Sequence, residues 1–152
     1  MIAATRADSA LQDELRANPS RIPVFIEEAL RLESPFRGHF RITRSATSLG
    51  GVELPEGARL MLMWGAGNRD ASAFACPADV DLARDKPKQH LAFGSGIHFC
   101  LGAPLARLEA KIAIEELLAR TSRVELAADE KPKHHPSLFV RRFERLRLQL
   151  TQ

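Results

Sequence analysis

A glycine-rich segment, 93–102, stands immediately before the most regular helical pattern in the chain. Its glycines allow tight turns and a close approach of the backbone to a flat ligand. They are Gly94, Gly96 and Gly102. Pro104 suits the first turn of a helix, and the apolar spacing predicts that this helix continues to about Arg120. Cys100 therefore lies near a helix N-terminus, where backbone N–H groups favour the thiolate, the form that binds metal.

The apolar residues of this long helix recur at helical spacing, and we expect them to form a wide face toward the core. They are Leu105, Leu108, Ile112 and Leu117. Two shorter helices are predicted earlier in the chain. The first contains residues 11–15 and ends at the Asn-Pro pair 18–19, and the second, capped by Ser20, ends at Ser34.

Short strands are predicted after these helices and again in the C-terminal tail. Residues 40–44 and 60–64 have strand character, and the glycine pair 50–51 predicts a two-residue hairpin turn. Leucines alternate with polar residues over 146–150, the period of a half-buried strand. Residues 68–87 show neither period, and irregular segments of that length in compact domains are usually functional.

The composition is that of an ordinary globular domain, or part of one: 152 residues, 45% hydrophobic and 27% charged. No run approaches the roughly 18 apolar residues of a membrane-spanning helix, and residues 1–8 lack the basic-then-apolar order of a signal peptide. The sequence therefore predicts a cytoplasmic protein with no membrane partner. Two cysteines, Cys76 and Cys100, are too few for a disulfide framework and are expected to be reduced thiols or ligands.

The net charge of +3 is confined to the C-terminal tail. Residues 1–133 hold 18 basic and 18 acidic side chains, whereas residues 134–152 hold four arginines and one glutamate. No aromatic stacking platform accompanies those arginines. We therefore expect a solvated strand face there and no nucleic-acid partner.

The residues alone leave three other interpretations of the glycine-rich segment open. A buried structural cysteine beside a tight turn is the common outcome for such a loop. A phosphate cradle is disfavoured because no strand feeds the loop and no lysine follows its glycines. A zinc site from Cys76, His90, His98 and Cys100 has suitable donors, but its spacing lacks paired Cys-x-x-Cys or His-x₃₋₅-His ligands.

The glycine-rich segment resembles the haem-binding signature of the bacterial cytochromes P450. It reads Phe93-Gly94-x-Gly96-x-His98-x-Cys100-Leu101-Gly102. Residues 28–31, Glu-Ala-Leu-Arg, resemble that family's Glu-x-x-Arg helix, and residues 68–84 resemble the meander ahead of its haem loop. The resemblance covers nearly the whole chain in the family's order. It implies a fold that is mainly α with small antiparallel β-sheets, in which residues 1–152 are a partial domain, the C-terminal haem-binding region.

The resemblance also implies the cofactor, haem b, and the residues that hold it. Cys100 would be the axial thiolate and the metal ligand, Phe93 would pack over the thiolate side, and Gly94, Gly96 and Gly102 would permit the close approach. His98 and Arg41 would bind the haem propionates through charge-assisted hydrogen bonds. Without the resemblance, His98 is an ordinary loop histidine and Arg41 an exposed edge-strand arginine. The covalent Cys-x-x-Cys-His motif of c-type haem is absent from the sequence.

Two acidic residues could pair with Arg31 by spacing alone, because Glu28 lies three residues before it and Glu27 four. The resemblance implies instead a structural cluster of Glu28, Arg31 and Arg84 that fixes the meander. Loss of one partner of a buried cluster costs about 3–5 kcal/mol. Cys76 matches no functional position of the family and is expected to be a spectator thiol.

The family's activity is that of a haem-thiolate monooxygenase, which hydroxylates a small organic substrate with O₂ and receives electrons from a ferredoxin-type partner. Residues 35–40 and 137–140 are expected to border the substrate pocket by resemblance. Arg107 and Lys111, on the helix after Cys100, are the candidate docking charges for an acidic ferredoxin.

The long distal helix of the family, with its oxygen-activation motif, has no counterpart here, so no catalytic residue is assigned in this chain. We expect the chain alone to bind haem weakly, to self-associate through uncovered apolar surface and to turn over little. The cluster of Glu28, Arg31 and Arg84 is expected to be solvated for the same reason. The alternative function is a non-catalytic haem-binding or interaction module that another chain completes.

Overall fold

The structure, a computed structural model, describes residues 8–152. Residues 1–7, part of the segment compared above with a signal peptide, lie outside the described residues. The helices are α1 (Ser9–Ala17), α2 (Ile22–Glu33), α3 (Trp64–Gly67) and α4 (Ala103–Arg120), and 3₁₀ turns occur at Pro19–Arg21, Pro87–Gln89 and Gly96–His98. The strands are β1 (His39–Ile42), β2 (Thr47–Leu49), β3 (Val52–Leu54), β4 (Arg59–Leu62), β5 (Arg123–Leu126) and β6 (Leu148–Thr151). Within residues 8–152 none of the helices has both the length and the apolar character that crossing a membrane requires.

The two predicted N-terminal helices form, but α2 begins differently from the expectation. The prediction that Ser20 caps α2 is wrong, because Ser20 lies inside the 3₁₀ turn Pro19–Arg21. Helix α2 starts at Ile22, the residue immediately after that turn. The turn leads directly into the α-helix, so no side-chain cap is needed there. At the other end Ser34 adopts a left-handed conformation, with φ of 37°, and its N–H donates to the carbonyl of Leu30 at 2.9 Å. This conformation ends α2 at the predicted place.

Helix α2 supplies most of the buried core, α4 packs against it, and α1 packs against α4 and contributes Leu15 to the same cluster. The buried apolar side chains of this cluster are Leu15, Ile22, Phe25, Ile26, Ala29 and Ile114. Burial of each large side chain contributes about 1.5–3 kcal/mol relative to exposure. The core therefore fixes α2 and α4 side by side, and this arrangement positions the side chains of the site described below.

Helix α4 has the predicted length, but its expected core face is wrong in part. Leu105, Leu108 and Ile112 are each at least half exposed, whereas Ile114 is buried. Leu101, just before the helix, continues the exposed row at the same helical spacing. Period alone identifies an apolar face but does not say whether this chain covers it. Helix α4 thus packs on α2 with one side and leaves a row of apolar side chains uncovered on another.

Three two-stranded antiparallel sheets account for the strands of the described residues. β1 pairs with β4, and β2 pairs with β3 through the predicted glycine turn, where Gly50 and Gly51 both have positive φ. Gly38 lies so close to β4 that a side chain there would overlap the backbone oxygen of Leu62. β5 pairs with β6, which places the predicted C-terminal strand against the residues that follow α4. The first of these sheets carries Arg41 toward the site described below.

Residues 68–86 form neither helix nor strand, as predicted for 68–87, and only the last predicted residue, Pro87, belongs to a 3₁₀ turn. This irregular segment is tied to α2 by a buried cluster. Arg31 donates through Nε and Nη2 to both carboxylate oxygens of Glu28, at 2.8 and 2.9 Å, and Arg84 Nε donates to Glu28 at 2.8 Å. The remaining N–H groups of Arg31 bond three backbone carbonyls of the segment, those of Asn68, Pro77 and Asp79.

The expectation that this cluster is solvated is wrong. The side chains of Glu28 and Arg31 are both 0% exposed, and that of Arg84 is 7% exposed. The irregular segment itself covers the charges, and the ring of its Phe74 contributes, with a centroid 5.3 Å from Arg31 Cζ. This chain therefore supplies the whole burial of the cluster.

Candidate functional site

The glycine-rich segment folds as a tight loop that ends where α4 begins. Gly94 and Gly96 have φ of 73° and 70°, a region that residues with side chains rarely adopt. The N–H of Cys100 donates to the carbonyl of Phe93 at 2.9 Å and closes the loop. The carbonyl of Cys100 in turn accepts a hydrogen bond from Ala103, the first residue of α4. Cys100 is thus fixed at both its backbone groups and exposes its side chain.

A cavity of about 820 Å³ lies beside this loop. Its walls come from α2, β1, α4 and the loop. A cavity of this volume and with this lining suits a cofactor. Six of the predicted cofactor residues line it together: Arg41, Phe93, Gly94, His98, Cys100 and Gly102. The seventh, Gly96, lies in the 3₁₀ turn of the loop and is not among the lining residues.

Two further residues of the cavity were not assigned to the cofactor by the sequence reasoning, which expected His39 only within the substrate border 35–40 and did not single out Trp64. His39 and Trp64 both line it, and Trp64 Nε1–H donates to His39 Nδ1 at 2.7 Å. His39 precedes Arg41 by two residues on β1, so the two side chains share one face of the strand. That alternation was a usable signal, because it places residue 39 on the same face of the strand as Arg41.

The residues around the cavity fit a haem group. They offer one thiol, one guanidinium and imidazole groups, while Ile26, Leu30 and Ala106 give an apolar surface for a flat macrocycle. A Cβ at Gly102 would come within 3.9 Å of Cys100 Sγ, so glycine keeps the space beside the sulfur free. A thiolate is a strong ligand for iron, and the guanidinium of Arg41 suits a carboxylate.

Glu27, which sequence reasoning treated as a possible partner of Arg31, has other partners. Its carboxylate accepts from Arg107 Nε at 2.6 Å, from Arg107 Nη2 at 3.0 Å and from His90 Nε2 at 2.9 Å. Burial alone would raise the pKa of Glu27, but the hydrogen bonds from His90 and Arg107 outweigh it and hold the pKa at about 2. These partners lie 63 and 80 residues away in sequence, so helical spacing contained no signal for them.

The zinc alternative gains no support. Among residues 8–152 no three His, Cys, Asp or Glu side chains stand close enough together to hold a metal ion. His90 is buried on Glu27, and Cys76 is an exposed thiol in the irregular segment.

A cysteine loop that leads into a helix beside an apolar cavity is an arrangement that a haem-thiolate protein requires. The comparison with protein families makes this specific. The model of the Cytochrome P450 family matches residues 12–150, nearly the entire chain. The chain belongs to the cytochrome P450 family, whose members bind haem b.

Individual relatives agree with this assignment. Cytochrome P450 144 of Mycobacterium tuberculosis is 52% identical over 147 residues, which are 97% of this chain and 33% of that protein. The crystal structure of CYP109E1 from Bacillus megaterium in complex with corticosterone superimposes with a TM-score of 0.92 at 37% identity, over 97% of this chain and 40% of that one. The crystal structure of P450BioI, in complex with an acyl carrier protein ligated to hexadec-9Z-enoic acid, superimposes with a TM-score of 0.85 at 40% identity. The match covers 90% of this chain and 35% of that one. The chain thus spans about a third of the length of the curated relatives it matches.

Proposed function

We propose that this chain forms the cysteine-ligating part of the haem site of a cytochrome P450 monooxygenase. The observation that carries the proposal is that Cys100, Phe93, His98 and Arg41 all line the same cavity. These four residues come from a loop and a strand more than 50 residues apart in sequence, and the fold brings them to one apolar space.

Each residue has a distinct role in the proposal. Cys100 would ligate the iron, since of the two cysteines it is the one that lines the cavity, and the Phe93 ring would pack beside the sulfur. Arg41 and His98 hold the propionates, with His39 as a third polar group on the same strand as Arg41. When bound, haem supplies the oxygen chemistry of the family, to which a thiolate ligand contributes electron density. The chain contributes the ligand, its orientation and an apolar wall.

The substrate side of the proposal rests on how two distant segments meet. The N–H of Arg37 donates to the carbonyl of Phe139 at 2.8 Å, and the rings of Phe40 and Phe139 stand edge to face with centroids 5.7 Å apart. Phe36, also in the first segment, lines the cavity. Residues 35–40 and 137–140 therefore form one aromatic border, which suits a small, largely apolar organic substrate.

The ligand assignment is tested with haem reconstitution. The reduced, haem-loaded chain is treated with carbon monoxide, and the absorption band of thiolate-bound haem is recorded. Cys100→Ala is expected to abolish that band, while Cys76→Ala, the matched control at the other free thiol, leaves it unchanged. A thiolate band that persists in Cys100→Ala would refute the assignment.

A non-catalytic module completed by another chain is the second candidate, because the apolar row on α4 is exposed. Turnover of substrate with a competent reductase separates the two functions. It is measured for this chain alone and with a polypeptide that matches the N-terminal two thirds of a relative. Turnover in the second sample supports the monooxygenase, whereas haem binding without turnover in either supports the module.

We propose an acidic, ferredoxin-type protein as electron donor, with one correction to the expected docking charges. Arg107 is not a free docking charge, because its guanidinium is engaged by Glu27. Lys111, one turn further along α4, is exposed, with Glu115 3.6 Å from its Nζ. Lys111→Glu is expected to weaken ferredoxin binding at low salt and to have little effect at high salt. Unchanged affinity at low salt would remove Lys111 from the docking surface.

We also propose that the protein acts in the cytoplasm. A reducing compartment keeps thiols such as Cys76 and Cys100 in the free form that metal ligation requires.

A further inference from the structure

A carboxylate on α2 joins two parts of the chain that flank the cysteine loop. Glu27 is 5% exposed, and its two oxygens accept three hydrogen bonds, two from Arg107 on α4 and one from His90 just before the loop. The bond to Arg107 is bidentate, the geometry that fixes a guanidinium most firmly. Glu27 thus sets the plane of the Arg107 guanidinium.

His90 is fixed as closely as Arg107. Its side chain is 1% exposed, and its Nδ1 accepts a hydrogen bond from the N–H of Ala92 at 3.1 Å. An acceptor at Nδ1 leaves the proton at Nε2, from which His90 donates to Glu27. The ring therefore links Glu27 to the backbone one residue before Phe93.

The ring of Phe93 lies against both of these side chains. Arg107 Cζ stands 4.6 Å from the centroid of the ring, within the range of a cation–π contact, and the His90 ring is 6.0 Å away. The carbonyl of Phe93 accepts the hydrogen bond from Cys100 that closes the loop. A group that holds Phe93 therefore also holds the backbone position of Cys100.

We propose that Glu27, His90 and Arg107 are positioning residues that hold the Phe93 ring and thereby the ligand end of the cysteine loop. Glu27 acts through the other two, since its side-chain hydrogen bonds go to them and it is not itself among the residues that line the cavity. The purpose of this arrangement rests on the proposed function, in which Cys100 ligates haem. The effect of these three residues on the loop does not depend on that function, because it is expected in the chain without haem.

The test measures amide hydrogen exchange by NMR in the haem-free chain. Arg107→Met removes the guanidinium but keeps the length of the side chain. It is expected to accelerate exchange at the Cys100 amide about tenfold, since cation–π and bidentate contacts are lost together. Amides in the last turns of α4, such as Leu118, should change less than about twofold. Lys111→Met, on the same helix but without contact to the ring, is the matched control and should change neither.

A second measurement separates positioning from a simple tie between two helices. The aromatic proton shifts of Phe93 report the neighbours of its ring and should move in Arg107→Met. Glu27→Gln should move them in the same direction, and its effect should shrink when it is combined with Arg107→Met, because only the route through His90 then remains.

The proposal is overturned by any of three results. These are an unchanged Cys100 amide in Arg107→Met, an acceleration of equal size throughout α4, or additive effects of Glu27→Gln and Arg107→Met on Phe93. Because no haem is present in these samples, failure here leaves the ligand assignment intact. Failure of haem to bind would likewise leave this result standing.

Discussion

Replacement of Arg31 by methionine removes the most heavily bonded side chain of the buried cluster. Arg31 is 0% exposed and donates two hydrogen bonds to Glu28 and three to backbone carbonyls of the irregular segment. In Arg31→Met the Glu28 carboxylate keeps only Arg84 and one backbone N–H as partners, that of Asp81. A buried charge that loses a partner costs about 3–5 kcal/mol. Three carbonyls also lose their donor, at about 1–3 kcal/mol for each that stays dry.

The total loss therefore reaches at least about 5 kcal/mol, which is the whole stability of many domains. We expect Arg31→Met to lack a cooperative urea transition by far-ultraviolet circular dichroism. Arg84→Met provides the graded case, because Glu28 keeps both bonds to Arg31, and a loss of about 2–3 kcal/mol is expected.

Arg120→Met is the matched surface control. Arg120 Nη2 lies 2.6 Å from Glu116 Oε2, but their side chains are 78% and 57% exposed. Such exposed pairs contribute no more than about 0.5 kcal/mol. If Arg31→Met lost as little stability as Arg120→Met, the reasoning from burial and bond number would be wrong.

Three further predictions concern acid stability, backbone packing and self-association. The pKa of Glu27 is about 2 in the folded chain, below its ordinary value of 4.5, so its stabilisation of about 3 kcal/mol is complete above pH 4.5 and is lost as pH falls toward 2. Urea midpoints measured across that range should show a flatter decline in Glu27→Gln, and an equally steep one would contradict the assignment. Gly38→Ala should cost at least about 1–3 kcal/mol in thermal unfolding because its Cβ would overlap the backbone of β4, whereas Gly65→Ala has ordinary contacts and should be near neutral. Size-exclusion chromatography of Leu105→Lys and Leu108→Lys should show less self-association than the parent chain, and an unchanged profile would mean that other surfaces associate.

The sequence was informative where chemistry is local. The glycine spacing and Pro104 predicted a loop before a long helix, and both occur where expected. The irregular segment over 68–86 also followed from its lack of either period. In these places a single residue type determines the backbone within one or two turns.

The sequence was uninformative where a decision depends on distant partners. An apolar row on α4 was visible as a period, but periodicity contains no information on which chain covers it. Helical spacing alone did not distinguish Glu27 from Glu28 and contained no sign of the role of Glu27, because the partners of Glu27 lie 63 and 80 residues away. The burial of Glu28 and Arg31 was not predictable from the sequence either, because the layer that covers them is an irregular segment without a helical or strand period.

The adjacent carboxylates of α2 define how much of this chain would have to move as a unit in protein engineering. Glu28 anchors the irregular segment, and Glu27, the residue before it, anchors α4 and the base of the cysteine loop. Residues 93–102 transplanted alone into another scaffold would arrive without the contacts that orient Phe93. The smallest segment that could be transplanted with the contacts of Phe93 is therefore α2 together with residues 90–107. One residue inserted into α2 between these carboxylates and the rest of the core would rotate Glu27 and Glu28 together by about 100° around the helix axis.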